Sequence, residues 1–181
     1  MALLLDDRAE AGTIGTIEEL SRLLSEETRP AGYTEVMQRL SVAPESLSPF
    51  CIWDQRQYTR KSLHRSRAHE LLLICYEPGQ RTSIHDYDSQ MAWIKPVLGS
   101  VCEERYKLAG NCELKLQGQG KLETGPLAYM TTKDCIHRHT NMGPGRAITL
   151  NLYVRPISRW RVYDERTGRS SLSGTSHPSH Q

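Results

Sequence analysis

Two segments carry residue types at spacings suited to chemistry: Pro78-Gly79-Gln80-Arg81-Thr82-Ser83-Ile84-His85-Asp86-Tyr87 and Cys135-Ile136-His137-Arg138-His139. They lie roughly fifty residues apart, each in a strand-like context. Neutral imidazole is the commonest protein ligand for iron, nickel, copper and zinc, so the layout points to a metal held inside a small β-barrel. Residues two apart on a strand face the same way. His85 therefore shares a face with Tyr87, and His137 shares one with His139. Thr149, Asn151 and Tyr153 share a third. Turned inward, these faces would put imidazoles, phenols, an amide and a hydroxyl into one interior. A dry core does not tolerate that many polar groups without partners, whereas a metal and a polar substrate would satisfy them. His64 and His69, among basic residues, and His177 and His180, near the C-terminus, carry no such pattern.

The elements that must position these residues change character along the chain. Residues 14–49 read as helical. Thr16 is a cap with Glu19 three residues on, and Leu20, Leu23 and Leu24 follow at helical spacing. Pro30-Ala31-Gly32 is expected to break that helix, a second should cover Tyr33 to Leu40, and Ala43 to Pro49 reads as a turn-like connection. From Tyr58 onward the pattern is strand and turn: 70–76, 91–99, 101–106, a short piece at Leu114-Lys115-Leu116, then 127–130 and 147–153. The predicted fold class is mainly β, a closed barrel or sandwich with an N-terminal helical cap. Residues 1–168 are expected to form one domain, with the cap at about 14–49 and the barrel at about 58–168. The chain turns Ser/Gly/Pro/His-rich from 164, and 169–181 is expected to be a flexible tail.

Composition narrows the function. The net charge of +2 arises from 23 basic and 21 acidic residues without a Lys/Arg block, which argues against a nucleic-acid partner. No stretch of about 20 apolar residues suggests a membrane span. The start, Met1-Ala2-Leu3-Leu4-Leu5-Asp6-Asp7-Arg8, lacks the basic region of a secretory signal. Five cysteines, Cys51, Cys75, Cys102, Cys112 and Cys135, form no C-x-x-C pair and suggest a cytoplasmic chain with reduced thiols.

Several ordered pieces resemble the cysteine dioxygenases, the thiol dioxygenase branch of the cupin superfamily. Tyr58-Thr59-Arg60 looks like the family's substrate-binding Tyr-x-Arg. Ser83-Ile84-His85-Asp86, followed by Lys95 and Gly99, looks like its first metal motif, and Ile136-His137-Arg138 like its second. Leu152-Tyr153 with Pro156 is similar to its His-x-Tyr strand, and Tyr163-Asp164-Glu165-Arg166-Thr167-Gly168 to a Phe-Asp-x-Arg-Thr-Gly element. The resemblance implies a cupin double-stranded β-helix with a mononuclear ferrous iron on three histidines, oxidising the thiol of L-cysteine with O2 to the sulfinate. Carried over by position, His85 and His137 are metal ligands, Arg60 binds the substrate carboxylate, Tyr58 and Trp160 flank the substrate, and Tyr153 aims a phenol at the reacting groups. The family's mercaptopropionate branch tends to hold glutamine where Arg60 stands, so Arg60 favours cysteine itself.

The departures are as informative. Tyr87 stands where the second histidine of the first motif is expected, Asn151 where a histidine orients the tyrosine two residues on, and Thr149 where a serine is usual. Ala92 stands in place of a cysteine that some members cross-link to the tyrosine, and Trp160 in place of a smaller residue. Three arrangements are open. Tyr87 ligates the metal as phenolate, or two imidazoles suffice with water or substrate completing the sphere, or His139 is the third ligand. The second is preferred, since cysteine binds through both sulfur and nitrogen. Fe(II) is the expected metal, with Ni(II) the alternative, because selectivity follows geometry and ligand type. The expected function is oxygenation of L-cysteine sulfur by O2, to the sulfinate or to a further oxidised product such as a sulfonamide in natural-product biosynthesis, by a monomer or small homo-oligomer. The competing expectations are a non-catalytic cupin that senses a small thiol or amino acid, and a purely structural domain.

Overall fold

The computed structural model describes residues 3–5, 12–110, 113–131 and 136–174. Cys112, Cys135, His177 and His180 lie outside them, as does the expected tail from 175 on. The chain opens with strand β1 (Leu3–Leu5), then helices α1 (Ile17–Glu26) and α2 (Pro30–Arg39) and a 3-10 helix (Pro44–Phe50). Eleven strands follow: β2 (Thr59–Arg65), β3 (His69–Tyr76), β4 (Ile84–Tyr87), β5 (Met91–Leu98), β6 (Ser100–Leu108), β7 (Leu114–Glu123), β8 (Leu127–Thr131), β9 (Ile136–Thr140), β10 (Ala147–Val154), β11 (Arg159–Tyr163) and β12 (Ser170–Gly174). They form two six-stranded sheets, ordered β1-β8-β5-β10-β3-β2 and β12-β11-β4-β9-β6-β7. The described strand pairs are antiparallel, and the two sheets make the double-stranded β-helix of a cupin.

The central strands of the first sheet are buried on both faces. Along β3 all eight residues are buried. Leu71, Leu73 and Cys75 pack outward with Ile17, Leu20, Leu24, Val36 and Met37 of the helical cap, while Leu72, Ile74 and Tyr76 pack inward. Burial on two faces is why this strand reads as an unbroken apolar run. β10 divides the same way: Ile148, Leu150 and Leu152 face the cap, leaving Thr149, Asn151 and Tyr153 for the interior.

Thr16 caps α1, its Oγ1 accepting the Glu19 amide at 3.1 Å. The cap is pinned to the barrel by two polar contacts at buried positions. Trp93 Nε1 donates to Thr34 Oγ1 at 2.9 Å, and Lys95 Nζ donates to the carbonyls of Met37 and Gln38. An ammonium at the last carbonyls of α2 satisfies groups with no partner inside the helix and complements its dipole.

Four sequence expectations change. The chain does break between two helices, at residues 27–29, but the second starts at Pro30 and not at Tyr33, because a proline in the first turn has no N–H to lose. The connection after Ala43 is a 3-10 helix. β7 extends ten residues, far beyond Leu114-Lys115-Leu116, as an exposed strand carried by its ladder to β6. Within the expected tail, Ser170–Gly174 is the edge strand β12, hydrogen-bonded along β11 despite its composition. Among the described residues no helix is long and apolar enough to cross a membrane.

Candidate functional site

The site lies between the inner faces of the two sheets. Pro78-Gly79 turns the chain from β3 toward β4. Gly79 takes φ +78°, a left-handed conformation open to glycine, and its amide donates to Asn141 O at 2.9 Å. That turn delivers His85 directly opposite His137 in the β4–β9 ladder. Period-two alternation then puts Tyr87 and His139 on the same inner face. The ring centroids stand 4.6 Å apart for His85–His137 and 5.1 Å for His137–His139.

A cavity of about 50 Å³ opens among these strands. Its walls bring together Tyr58 and Arg60 of the β2 end, His85 and Tyr87 of β4, His139 of β9, Tyr153 of β10 and Trp160 of β11. Of the candidate ligand, substrate and catalytic residues, His137 alone is not in the lining; it is buried beside His85. The volume suits a ligand of few heavy atoms.

Local contacts set how each group points. His85 Nδ1 lies 2.8 Å from the Ser83 carbonyl oxygen. A carbonyl only accepts, so Nδ1 carries the hydrogen and Nε2 keeps a free lone pair, the form that binds a metal. Desolvation pulls the His85 pKa down to about 4, so the ring is neutral at neutral pH. His139 is buried with its pKa also lowered by desolvation, against the pull of Glu103. Its Nε2 lies 3.9 Å from Glu103 Oε1, and the Glu103 carboxylate is itself gripped by Arg105 at 3.0 and 3.2 Å. Glu103 is its cross-strand neighbour on β6, but His139 Nε2 is buried without a hydrogen-bond partner among the described residues.

Tyr87 packs edge-on against both His137 (5.4 Å between centroids, 80° between planes) and Tyr153 (5.1 Å, 87°). Tyr153 Oη accepts a hydrogen bond from Asn151 Nδ2 at 3.1 Å. Burial pushes the Tyr153 pKa up to about 12, which keeps the phenol protonated. At the mouth, the Arg60 guanidinium carbon sits 5.5 Å from the Trp160 ring centroid. Among the described residues no three His, Cys, Asp or Glu side chains form a group that could hold a metal ion. His85 and His137 are the imidazoles brought closest together, with 4.6 Å between ring centroids.

Sequence reasoning missed the apolar wall of Leu72, Ile74 and Ile157, and the buried Tyr76, which stacks on Tyr58 at 5.7 Å and whose pKa burial raises. The available signal was the alternation along β3, legible once its odd-numbered residues are assigned to the helical cap. Glu103 had no such signal, since its place beside His139 depends on strand register. Arg138, quoted from the second motif, is structural here. It donates to Glu104 (2.6 Å), Glu165 (2.9 Å) and Tyr106 (2.9 Å), tying β9 to β6 and to the turn after β11.

The family model for Cysteine dioxygenase type I matches residues 7–166. Cysteine dioxygenase type 1 of Danio rerio is 27% identical over 165 residues, covering 84% of this chain and 81% of that protein. The Homo sapiens protein of the same name is 23% identical over 165 residues, with 86% and 82% covered. Among solved structures, the protein TT1209 from Thermus thermophilus is similar with a TM-score of 0.50 at 16% identity, covering 60% of this chain and 93% of that one. That likeness concerns the fold alone.

Proposed function

Because the chain belongs to the cysteine dioxygenase type I family, a family of oxidoreductases, we propose that it adds oxygen from O2 to the sulfur of L-cysteine. The product is the sulfinate or a more oxidised derivative, a sulfonamide among the candidates. The observation that carries the reading is the Arg60 guanidinium, which lines the same cavity as His85 and makes no hydrogen bond or ion pair to another described residue. Its donors are open to a substrate carboxylate, whose geometry they match as a fork.

His85 and His137 would hold one divalent metal, iron in the ferrous state first and nickel as the alternative. When bound, that metal would supply the point at which thiolate and O2 meet and electrons pass between them. The chain's own residues do the rest. Arg60 anchors the carboxylate and Tyr58 flanks the substrate. Among the described residues no Asp or Glu lines the cavity, so no carboxylate there would pair a substrate ammonium. Asn151 donates to Tyr153 Oη, so the phenol's own hydrogen points elsewhere, and with its raised pKa Tyr153 acts as a hydrogen-bond donor to the reacting sulfur or oxygen.

Two features support a two-imidazole arrangement. Among the described residues no three His, Cys, Asp or Glu side chains form a group that could hold a metal ion, and the Tyr87 ring packs edge-on against His137 and Tyr153. The altered set at Tyr87 also favours a second reading, a cupin that binds a thiol without oxidising it. The test is metal analysis of the purified protein beside O2 uptake and mass spectrometry of products from L-cysteine with added iron, nickel or neither. Metal-dependent uptake with an oxygenated sulfur product supports the enzyme. Tight cysteine binding with no uptake under any metal leaves the sensor.

A further inference from the structure

Trp160 stands between two spaces. Its inner side borders the site, and its outer side borders a surface hollow of about 330 Å³ shared with Asp86, Asp88, Arg159 and Arg161. It sits directly opposite Tyr87 in the β4–β11 ladder of the second sheet. Arg60 belongs to β2, the edge strand of the first sheet. Their 5.5 Å contact therefore bridges the two sheets at the cavity mouth.

An exposed arginine on an edge strand samples many rotamers, and something must hold it if it is to meet a small substrate. A carboxylate partner would do so by consuming the donors that the substrate needs. An indole face attracts the cation through its ring and leaves the N–H groups unspent. Arg60 has that arrangement: a ring face and no hydrogen-bond partner among the described residues. The neighbouring aromatic, Tyr58, is occupied in its own stack on Tyr76.

We infer that Trp160 is a positioning residue for Arg60, and through it a determinant of specificity for thiols that carry a carboxylate. The inference rests on the reading that Arg60 takes the substrate carboxylate. It predicts that loss of the ring face weakens carboxylate-bearing thiols selectively, while loss of bulk alone does not.

The test uses the metal-loaded protein and the variants Trp160→Leu, Trp160→Phe and Arg60→Ala. Binding of L-cysteine is measured calorimetrically without O2, and steady-state kinetics are run with L-cysteine and with cysteamine, which lacks the carboxylate. Trp160→Leu keeps an apolar wall without a ring. It should raise Kd and KM for L-cysteine by about 2- to 5-fold, the worth of one cation–π contact at a partly exposed site. The effect should fall on KM more than kcat, and cysteamine should be affected much less. Trp160→Phe, which restores a ring, should recover most of the loss. In the Arg60→Ala background, Trp160→Leu should add nothing. Equal weakening of cysteamine and L-cysteine, or full additivity with Arg60→Ala, overturns the inference. An Arg60→Ala variant that binds L-cysteine normally removes the carboxylate reading, and this inference with it. Weak binding by Arg60→Ala combined with normal binding by Trp160→Leu overturns the role of Trp160 alone.

Discussion

Tyr153→Phe should both destabilise the barrel and slow the reaction, and the two effects are separable. Tyr153 is 5% exposed and Asn151 1%. Asn151 Oδ1 has no hydrogen-bond partner among the described residues, so the 3.1 Å bond from Nδ2 to Tyr153 Oη is what satisfies the amide. Phenylalanine keeps the ring and leaves no cavity, so the loss is that of stranding a buried donor, about 1–3 kcal/mol. Asn151→Leu strands the phenol instead, at a similar cost. The double variant removes both groups and should cost less than the sum, with a coupling of about 1 kcal/mol. Urea unfolding of chelator-treated protein reads this without a contribution from bound metal. In the loaded enzyme, loss of a donor to a charged sulfur or oxygen should lower kcat by roughly 10- to 100-fold. Strictly additive unfolding energies would refute the coupling, and a Tyr153→Phe variant with normal kcat would remove the phenol from the reaction.

Further outcomes follow from the same geometry. Arg60→Ala should raise KM for L-cysteine by about tenfold or more, the scale of a hydrogen-bonded charge, with a smaller change in kcat. Steady-state O2 uptake measures it, and unchanged kinetics place the carboxylate elsewhere. His85→Ala or His137→Ala should abolish bound metal in elemental analysis; full retention in both rejects the pair. Tyr87→His should change metal preference or product, and if neither moves, Tyr87 plays no part in the metal's surroundings. Stability should also fall on acidification because of His69. It is 1% exposed against Tyr33 and stacked on His64, and burial, followed by the His64 charge, pulls its pKa down to about 4. Its neutral form is the folded one. The unfolded chain takes up that proton below about 6.5, so this contribution is complete above that pH and is lost toward pH 4, at most about 1.4 kcal/mol per pH unit. His69→Phe should flatten the curve over that window, and parallel curves for the two proteins would sink the idea.

The barrel and its cap were legible because their signals are local. Thr16 and the leucine stripe of α1 follow from capping and helical period. The inward set Thr149-Asn151-Tyr153 follows from alternation on one strand. The break between the helices was legible at Pro30, but its side was not: proline interrupts a helix interior and suits a first turn, and the packed helix shows that Pro30-Ala31-Gly32 open α2. β12 was missed because Ser170–Gly174 has little strand propensity of its own; the ladder to β11 supplies it.

The sequence by itself determined which chemical groups the chain owns and the face each takes on its strand. His85 with Tyr87, His137 with His139, and Asn151 with Tyr153 are paired by the period of an unbulged strand. Tertiary structure alone decided which of those faces meet and what stands behind them. Register on β4 and β9 sets His85 against His137. Register on β6 sets Glu103 against His139. The meeting of two sheets lays Arg60 on Trp160. Each of these contacts joins residues far apart in the chain, and spacing along a chain carries no information about which strand edges hydrogen bonding will bring side by side.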